Sequence, residues 1–448
     1  FWLKLFSSKM PAVFAQLRHL AWTQGMQHCG ARLAGRAAAP VGLRRWQRSF
    51  ASFAGLKDEP TFTAESQFVK AAGRLPVLRI VGEDGRVVPG AQLPCTLDEW
   101  LSMYQTMVRG SVIDQILNSL QRQGRISFYM TGSGEEAAQV GTVAALDRSD
   151  VIWPQYRELG AFLHRGFTIQ QVVDQCLGRQ SEPGKGRQMP VHYCDADLNM
   201  QAVSSPLATQ IPQAVGAGYS FRIGGEERCG VAYFGDGAAS EGDCAVAMNF
   251  AATLRAQTVF LCRNNGWAIS TPAEEQYAGD AIAARGVAFG MQTIRVDGND
   301  LAAVFLATQR ARDICVGGEP VVVEMMTYRR GHHSTSDDAT RYRGGDVPKS
   351  MARTGLEPLS RARLLLEAEG LWDEAREEAL RDSTRQEVMD SLKKGEAKKF
   401  APVSDMFTDV WAKETPQLVQ QRQELFEHLA RHPEKYEKSL AQFESERS

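Results

Sequence analysis

The chain has 448 residues, of which 43% are hydrophobic and 23% are charged, and its formal net charge is −2 at pH 7. This balance is typical of a globular protein and argues against nucleic acid or a membrane surface as the main partner. No apolar run reaches the length of a membrane-spanning helix. The eight cysteines contain no C-x-x-C pair, so neither a zinc ribbon nor a disulfide framework is indicated.

The first 50 residues have a composition of their own. The first acidic residue of the chain is Asp58, while arginines recur among small and apolar residues before it. An acid-free, arginine-rich stretch is typical of an organelle transit peptide, with a basic arm as the alternative interpretation. Arg48, followed by Ser49 and Phe50, resembles a mitochondrial processing site. We therefore expect residues 1–50 to be a transit peptide and the protein to act in the mitochondrial matrix.

Residues 51–127 are predicted to form an N-terminal extension. Two short strand-like runs flank Asp84-Gly85, which is a hairpin signal. From Thr96 onward, apolar residues recur at helical spacing. Thr96 and Glu99 are spaced as a capping box, so a helix is expected to begin there.

The next two segments carry charged residues beside glycines. Glu135 and Glu136 follow a glycine pair and are expected in the first turn of a helix, where negative charge suits the helix dipole. The loop at 184–192 carries Lys185, Arg187 and His192. Such a loop can contact an anionic substrate or be an ordinary solvated loop, and the sequence leaves both interpretations open.

The stretch from 231 to 270 predicts a strand–helix–strand unit. Short apolar runs at 231–234 and 259–262 have the length of buried strands, and Ser240 is the expected N-cap of the helix between them. Such a unit makes a parallel crossover. Asp236 and Asn265 then lie just beyond the carboxyl ends of the strands, where open α/β sheets bind ligands. Oxygen ligands there suit Mg²⁺, which takes few protein ligands and fills the rest with phosphate and water.

Strands and helices alternate over much of the chain. The alternation between about 130 and 330 predicts an α/β domain, a doubly wound parallel sheet covered by helices on both faces. We assign this domain to residues 128–358. From residue 359 to 448, Arg, Glu and Leu at helical spacing predict a C-terminal helical region.

Several motifs together point to a family. Gly235-Asp236-Gly237, a helix and Asn264-Asn265 resemble the thiamine diphosphate signature. The longer sequence motifs resemble those of the alpha subunit of the branched-chain 2-oxo acid dehydrogenase decarboxylase; they are GDGAASEGD, NFAATL, RNNGWAISTP and GHHSTSDD. This resemblance implies the thiamine diphosphate-binding fold and oxidative decarboxylation of branched-chain 2-oxo acids with reductive acylation of a lipoyl group. The alternatives are a pyruvate dehydrogenase-type alpha subunit and a non-catalytic structural subunit.

The resemblance also implies cofactor and metal ligands. Mg²⁺ would be held by Asp236, Asn265 and the backbone carbonyl of Trp267, a position where the family usually has tyrosine. Thiamine diphosphate would contact Tyr156, Arg157, Ser205, Asp236, Gly237, Ala238, Arg263 and His333. The family's K⁺ site would fall on Ser204, Pro206, Thr209 and Gln210.

The segment after the last strand carries the implied catalytic and regulatory residues. His332 and His333 are the candidate catalytic residues, because histidine can carry protons near neutral pH. Ser334 matches the family's phosphorylation site. The family's second site lies about ten residues further on, where this chain has Arg343-Gly344-Gly345 and no serine. Phe128 and Tyr129 are weak candidates for an acyl pocket, and a core role fits them equally well.

The resemblance implies partners. In two-chain members of the family, the glutamate that activates thiamine comes from the beta subunit, so only half of the site is expected in this chain. An α₂β₂ heterotetramer is implied, together with a dihydrolipoyl transacylase core and a possible regulatory kinase and phosphatase.

Overall fold

The computed structural model describes Ser66, residues 73–343 and residues 357–445. Those from 73 onward belong to one compact unit that begins at Ala71, and the preceding unit, Phe1–Lys70, contains only Ser66 among the described residues. The predicted transit peptide and the position Gly344 lie outside the described residues.

A six-stranded parallel sheet forms the centre of the unit. Its spatial order is β1-β7-β8-β4-β3-β2. The strands are β1 Val77–Leu78, β2 Val151–Trp153, β3 Gly230–Gly235, β4 Thr258–Asn264, β7 Gln292–Asp297 and β8 Val321–Met326, and a separate antiparallel pair is β5 Trp267–Ala268 with β6 Thr271–Pro272.

The sheet is buried on both faces, since the central strands β3, β4 and β8 are buried along nearly their whole length. Along β3, Val231 and Tyr233 pack into one core cluster, while Ala232 and Phe234 pack into the other. This is the alternation of a pleated strand. The predicted doubly wound α/β fold is therefore confirmed.

Helices cover the two faces. They are α1 Leu97–Arg122, α2 Glu136–Ala144, α3 Leu159–Arg165, α4 Ile169–Cys176, α5 Gln210–Gly224, α6 Gly242–Leu254, α7 Ala273–Gln276, α8 Ala283–Ala288, α9 Leu301–Val316, α10 Pro358–Ala368, α11 Glu374–Ala397, α12 Pro416–Arg431 and α13 Pro433–Leu440. None of these helices in the described ranges is long and apolar enough to cross a membrane. Because α1, α2, α10 and α11 share one core cluster with the sheet, the division at residues 127 and 358 stays a prediction.

Two local predictions can be compared with the structure directly. The capping box is confirmed, since Glu99 N donates to Thr96 Oγ1 over 3.2 Å and the Glu99 side chain accepts from Thr96 N. The N-cap at Ser240 is wrong. Ser240 ends a short 3₁₀ turn, Ala238–Ser240, and the helix begins two residues later behind Glu241.

The turn at Asp84-Gly85 forms as expected, but its first strand has another partner. Val81 and Val87 make an isolated antiparallel bridge across the turn. The chain just before it, β1, joins the edge of the central sheet in parallel with β7. The N-terminal extension therefore completes the sheet.

Candidate active site

A cavity of about 360 Å³ opens at the carboxyl ends of β2, β3 and β4. The structure brings most of the predicted site residues to its wall. Those that line it are Phe128, Tyr156, Arg157, His192, Ser205, Asp236, Gly237, Ala238, Arg263, Asn265, Trp267 and His333.

Asp236 and Asn265 meet because they follow neighbouring parallel strands. Asp236 is 1% exposed and accepts a hydrogen bond from Gln276 Nε2 over 3.0 Å and another from the backbone N–H of Asn265. Burial raises the pKa of Asp236 above its ordinary value. The Asn265 side chain accepts from Trp267 N over 3.1 Å through Oδ1. Carboxylate, carboxamide and turn backbone thus stand together at one side of the cavity.

The turn after β3 leaves backbone uncovered. A Cβ atom at Gly237 would lie 2.8 Å from the Cβ of Ala268, so no side chain fits there. Gly235 N donates to Gln155 Oε1 over 2.6 Å, which ties the end of β3 to the end of β2. Ala238 is buried and begins the 3₁₀ turn. A side-chain-free turn of this kind permits a diphosphate to approach the backbone closely.

Arg263 is held between two buried carboxylates. Its NH1 group pairs with Glu135 Oε2, and its NH2 group lies 2.7 Å from Glu158 Oε1. Both acids are essentially unexposed. The Nε atom of Arg263 is buried and has no hydrogen-bond partner among the described residues. The guanidinium is therefore fixed in the cavity wall, and its Nε donor is unused.

Arg157 connects the chain after β2 to the loop that carries His333. Its NH1 group donates to Thr131 O over 2.7 Å, and its NH2 group donates to His333 O over 2.5 Å. The ring of Tyr156 packs edge-on against the His333 ring, with centroids 5.9 Å apart. These contacts place the His333 imidazole inside the cavity.

The contacts of His333 fix its tautomer. Its Nδ1 atom lies 3.2 Å from Arg157 NH2 and 3.1 Å from Arg329 NH1, and both groups can only donate. Nδ1 is therefore the acceptor and the proton of the neutral ring sits on Nε2. Burial, with the positive charges of Arg157 and Arg329, lowers the pKa of His333 to about 3. At neutral pH the ring presents an N–H donor.

The neighbouring His332 does not line the cavity. Its Nδ1 atom accepts from Ala339 N over 2.9 Å, so the side chain fastens the short 3₁₀ turn Ala339–Arg341 of the same loop. Ser334 is 8% exposed, and its Oγ accepts from Ser336 N over 3.2 Å. In this conformation the loop encloses Ser334.

Ser205 is paired with a histidine that also lines the cavity. His192 Nδ1 lies 3.1 Å from Pro190 O, so this nitrogen carries the proton, and Nε2 then accepts from Ser205 Oγ over 2.6 Å. Burial lowers the pKa of His192. Lys185 and Arg187 of the same loop turn away to Asp409, at 2.6 and 2.8 Å. Of the three candidates there, only His192 reaches the cavity.

The loop before α5 gathers oxygen atoms. Ser204 Oγ lies 2.9 Å from Thr209 Oγ1, which in turn lies 2.9 Å from Pro206 O. Gln210 donates through Nε2 to Tyr233 O over 2.9 Å, while its buried Oε1 has no partner among the described residues. This cluster stands beside the cavity, joined to it through Ser205.

The two acyl-pocket candidates separate. Phe128 is half-buried and lines the cavity, with Met130, Met189, Leu207 and Ile269 as other apolar wall residues. Tyr129 points into the core, where its hydroxyl donates to Asp114 Oδ1 over 2.8 Å. For Tyr129, the structure therefore supports the alternative interpretation, a role in the core.

The roles of Glu135 and Glu158 are not indicated by the sequence pattern. Glu135 was expected in a helix turn, and it does directly precede α2, but nothing in its spacing indicates a partner in β4. Its position next to a glycine pair is the available signal, because Gly134 has φ +93° and a Cβ there would lie 2.1 Å from Tyr328 O. This close approach brings the turn and Glu135 against the site.

Comparison with known proteins identifies the family. A protein-family model described as dehydrogenase E1 component matches residues 104–404. The chain belongs to the dehydrogenase E1 component family. Membership implies thiamine diphosphate as the cofactor.

Several members of this family are similar to the chain over most of its length. A 2-oxoisovalerate dehydrogenase subunit alpha from Dictyostelium discoideum is 47% identical over 392 residues, which is 87% of this chain and 89% of the relative. Proteins of the same name are 46% identical in Caenorhabditis elegans, over 84% of this chain and 88% of the relative, and 43% identical in Homo sapiens, over 91% and 92%.

These findings confirm the resemblance to the alpha subunit of the branched-chain type. The names of the relatives also include the word mitochondrial, which confirms the predicted location. An alpha subunit of an E1 component implies a beta subunit and an E2 core as partners.

Proposed function

We propose that this chain is the alpha subunit of a branched-chain 2-oxo acid dehydrogenase. With a beta subunit it catalyses the thiamine diphosphate-dependent oxidative decarboxylation of branched-chain 2-oxo acids and transfers the acyl group to a lipoyl group. The observation that carries this proposal is the convergence of Asp236, Asn265 and a neutral His333 on one cavity, in a chain 47% identical to a 2-oxoisovalerate dehydrogenase alpha subunit.

The residues present fit a Mg²⁺-diphosphate. Asp236, Asn265 Oδ1 and the Trp267 carbonyl are the hard oxygen donors that Mg²⁺ requires. The uncovered turn at Gly237 and the unused Nε donor of Arg263 suit phosphate oxygens. The remaining contacts in this proposal are Tyr156, Arg157, Ser205, Ala238 and His333. When bound, thiamine diphosphate supplies the electron sink that decarboxylation needs.

His333 donates a hydrogen bond from Nε2 to the reacting group. Since its Nδ1 is occupied by two arginines, Nε2 is the nitrogen left for the substrate side. A neutral donor stabilises a developing negative charge on oxygen and assists acyl transfer to the lipoyl group. His332, which fastens the loop, acts through His333 and not on substrate.

The oxygen cluster at Ser204, Pro206, Thr209 and Gln210 is proposed to hold K⁺. The support is the short spacing of two hydroxyls and a carbonyl, together with the buried, unpartnered Gln210 Oε1. Hydroxyl and carbonyl oxygens are suitable ligands for a hard monovalent cation. A cation there would brace Ser205 at the cavity wall.

Ser334 is proposed as a phosphorylation site of a regulatory kinase and phosphatase. Because it is buried and bonded to Ser336 N, the loop must open before the hydroxyl can react. A phosphate next to Asp337 adds negative charge to a loop that already carries it, so the modified loop does not close again. Phosphorylation therefore switches the enzyme off.

The beta subunit is proposed to supply the activating glutamate in an α₂β₂ assembly bound to a dihydrolipoyl transacylase core. This gives a direct test. The isolated chain is expected to show no decarboxylation, whereas the co-expressed assembly turns over the oxo acids of valine, leucine and isoleucine faster than pyruvate.

The same panel decides between the rivals. Preference for pyruvate would make the chain a pyruvate-type alpha subunit. A structural subunit would show neither turnover nor thermal stabilisation by thiamine diphosphate with Mg²⁺. Robust turnover by the isolated chain would contradict the proposed shared site.

A further inference from the structure

Glu135 makes a contact that neutralising Arg263 does not require. Its Oε2 pairs with Arg263, and its Oε1 accepts from Asn265 Nδ2 over 2.7 Å. Arg263 has a second buried carboxylate, Glu158, at 2.7 Å. Among the described contacts, the bond that distinguishes Glu135 from Glu158 is therefore the one to Asn265.

The chemistry of this contact is directional. An ionised carboxylate can only accept hydrogen bonds. Glu135 forms an ion pair with the Arg263 guanidinium through Oε2, and its other oxygen, Oε1, accepts the hydrogen bond from Asn265 Nδ2. The nitrogen of the Asn265 carboxamide must then face Glu135. Its oxygen faces the other way, toward Trp267 N at 3.1 Å.

We propose that Glu135 is a positioning residue that fixes which way round the Asn265 carboxamide lies, and so presents Asn265 Oδ1 to the metal ion. This inference rests on the proposed function, in which Asn265 Oδ1 is a Mg²⁺ ligand beside Asp236. The reversed carboxamide would put its oxygen against a buried carboxylate and its NH₂ group against the cation. Glu135 thus does not bind the metal itself but holds one of its ligands, and such partners influence the affinity of a site for its metal.

The variant Glu135→Gln tests this with little change of shape. The glutamine side chain has one oxygen, whereas Arg263 and Asn265 both donate at this position. Arg263 is expected to keep the hydrogen bond to that oxygen because charge-assisted bonds are the stronger ones. The glutamine NH₂ group then faces Asn265 and turns its carboxamide round. We expect the affinity for Mn²⁺, used in place of Mg²⁺, to fall about 10- to 100-fold.

The measurement is the titration of free Mn²⁺ by electron paramagnetic resonance, on the co-expressed assembly with saturating thiamine diphosphate. Glu136→Gln is the matched control. Glu136 is the adjacent buried acid and bonds Gly134 N over 2.9 Å, with no contact to Asn265, so its Mn²⁺ affinity is expected to be unchanged. Equal affinity of wild type and Glu135→Gln would overturn the inference.

A second substitution separates orientation from general damage. Asn265→Asp offers an oxygen whichever way round it lies, so the double variant Glu135→Gln, Asn265→Asp is expected to regain Mn²⁺ affinity. If the double variant stays as weak as Glu135→Gln alone, the loss is structural and the inference is overturned.

Asn265→Asp alone keeps the inference testable if Glu135→Gln fails to fold. Two carboxylates would then face each other, and we expect weaker Mn²⁺ binding than in wild type; equal or tighter binding would overturn the role of Glu135. Failure of the wild-type assembly to bind Mn²⁺ is a different result, because it would contradict the proposed function itself.

Discussion

Two parts of the cavity wall are built differently. One wall stands on strand ends: Asp236 and Asn265 follow β3 and β4, and Arg263 belongs to β4, backed by the buried acids Glu135 and Glu158. The other wall is the loop after β8, in which His333 is held by guanidinium groups rather than by sheet.

The loop wall is fastened by polar contacts throughout. Arg343 donates to Arg329 O and Gly331 O, each over 2.5 Å, and Asp337 accepts from His333 N over 2.8 Å. Such contacts can open without disturbing the core. Under the proposed function, the strand-end wall would hold the charged cofactor, and the loop wall would carry the catalytic His333 and the phosphorylated Ser334.

The largest effect is expected at the strand-end wall. Asp236→Asn removes the carboxylate of the proposed Mg²⁺ site while keeping its shape. Loss of a residue that only hydrogen-bonds to a metal ligand already lowers metal affinity about 10- to 100-fold. Because Asp236 is itself a proposed ligand, we expect the Mg²⁺-dependent affinity for thiamine diphosphate to fall by more than about 100-fold. Calorimetric titration measures it, with the exposed Asp243→Asn as control; wild-type affinity in Asp236→Asn would refute the assignment.

The next effect separates the two walls by reaction step. His333→Asn is expected to slow lipoyl acylation about 10²- to 10⁴-fold, the usual range for a positioned acid–base residue, and to lower cofactor affinity far less than Asp236→Asn does. Decarboxylation with an artificial electron acceptor and lipoyl acylation are measured in parallel on the assembly. If both rates and cofactor affinity fell together, the proposed separation of the walls would be wrong.

A smaller effect is expected at His332. His332→Ala removes the acceptor for Ala339 N, a loss like that of a helix cap, which costs about 1 kcal/mol. The amide of Ala339 should then exchange its hydrogen about fivefold faster. His332→Asn, which can supply an acceptor, is the control. Unchanged exchange in His332→Ala would show that the contact does not fasten the loop.

The last effect concerns pH. The folded pKa of His333 is about 3, below the ordinary value of about 6.5 for an unfolded chain. Between these values the unfolded state binds the proton, so the stability contributed by neutral His333 is present above pH 6.5 and is lost as the pH falls. We expect the Tm of wild type relative to His333→Asn to decline from pH 7.5 to pH 5. A constant difference would mean that His333 is not held neutral.

The strand-end wall was largely predictable from sequence. The pattern of apolar run, Gly-Asp-Gly, helix and second run is local, and parallel strands bring residues that follow them to one edge. Asp236 and Asn265 could therefore be placed together. The buried pairs of Arg263 could not, because Glu135 and Glu158 come from distant segments and ion pairing leaves no periodic signal.

Other features depended on long-range register or loop conformation. The pairing of β1 with β7 joins segments far apart in the chain, so local strand propensity does not reveal it. The contact of His332 with Ala339 N spans few residues, but it exists only once the loop has turned. The prediction of Ser240 as the helix N-cap was wrong because the chain makes a 3₁₀ turn before the helix. The preference of serine for N-caps does not distinguish the start of a 3₁₀ turn from the start of an α-helix.

The most direct test is a crystal structure of the co-expressed assembly with thiamine diphosphate and Mn²⁺, with anomalous diffraction data collected to locate the metal. We predict a metal peak bonded to the Asp236 carboxylate, Asn265 Oδ1 and the Trp267 carbonyl, with Asn265 Nδ2 still on Glu135 and the diphosphate against Gly237. A metal and diphosphate bound away from Asp236 and Asn265 would contradict the account.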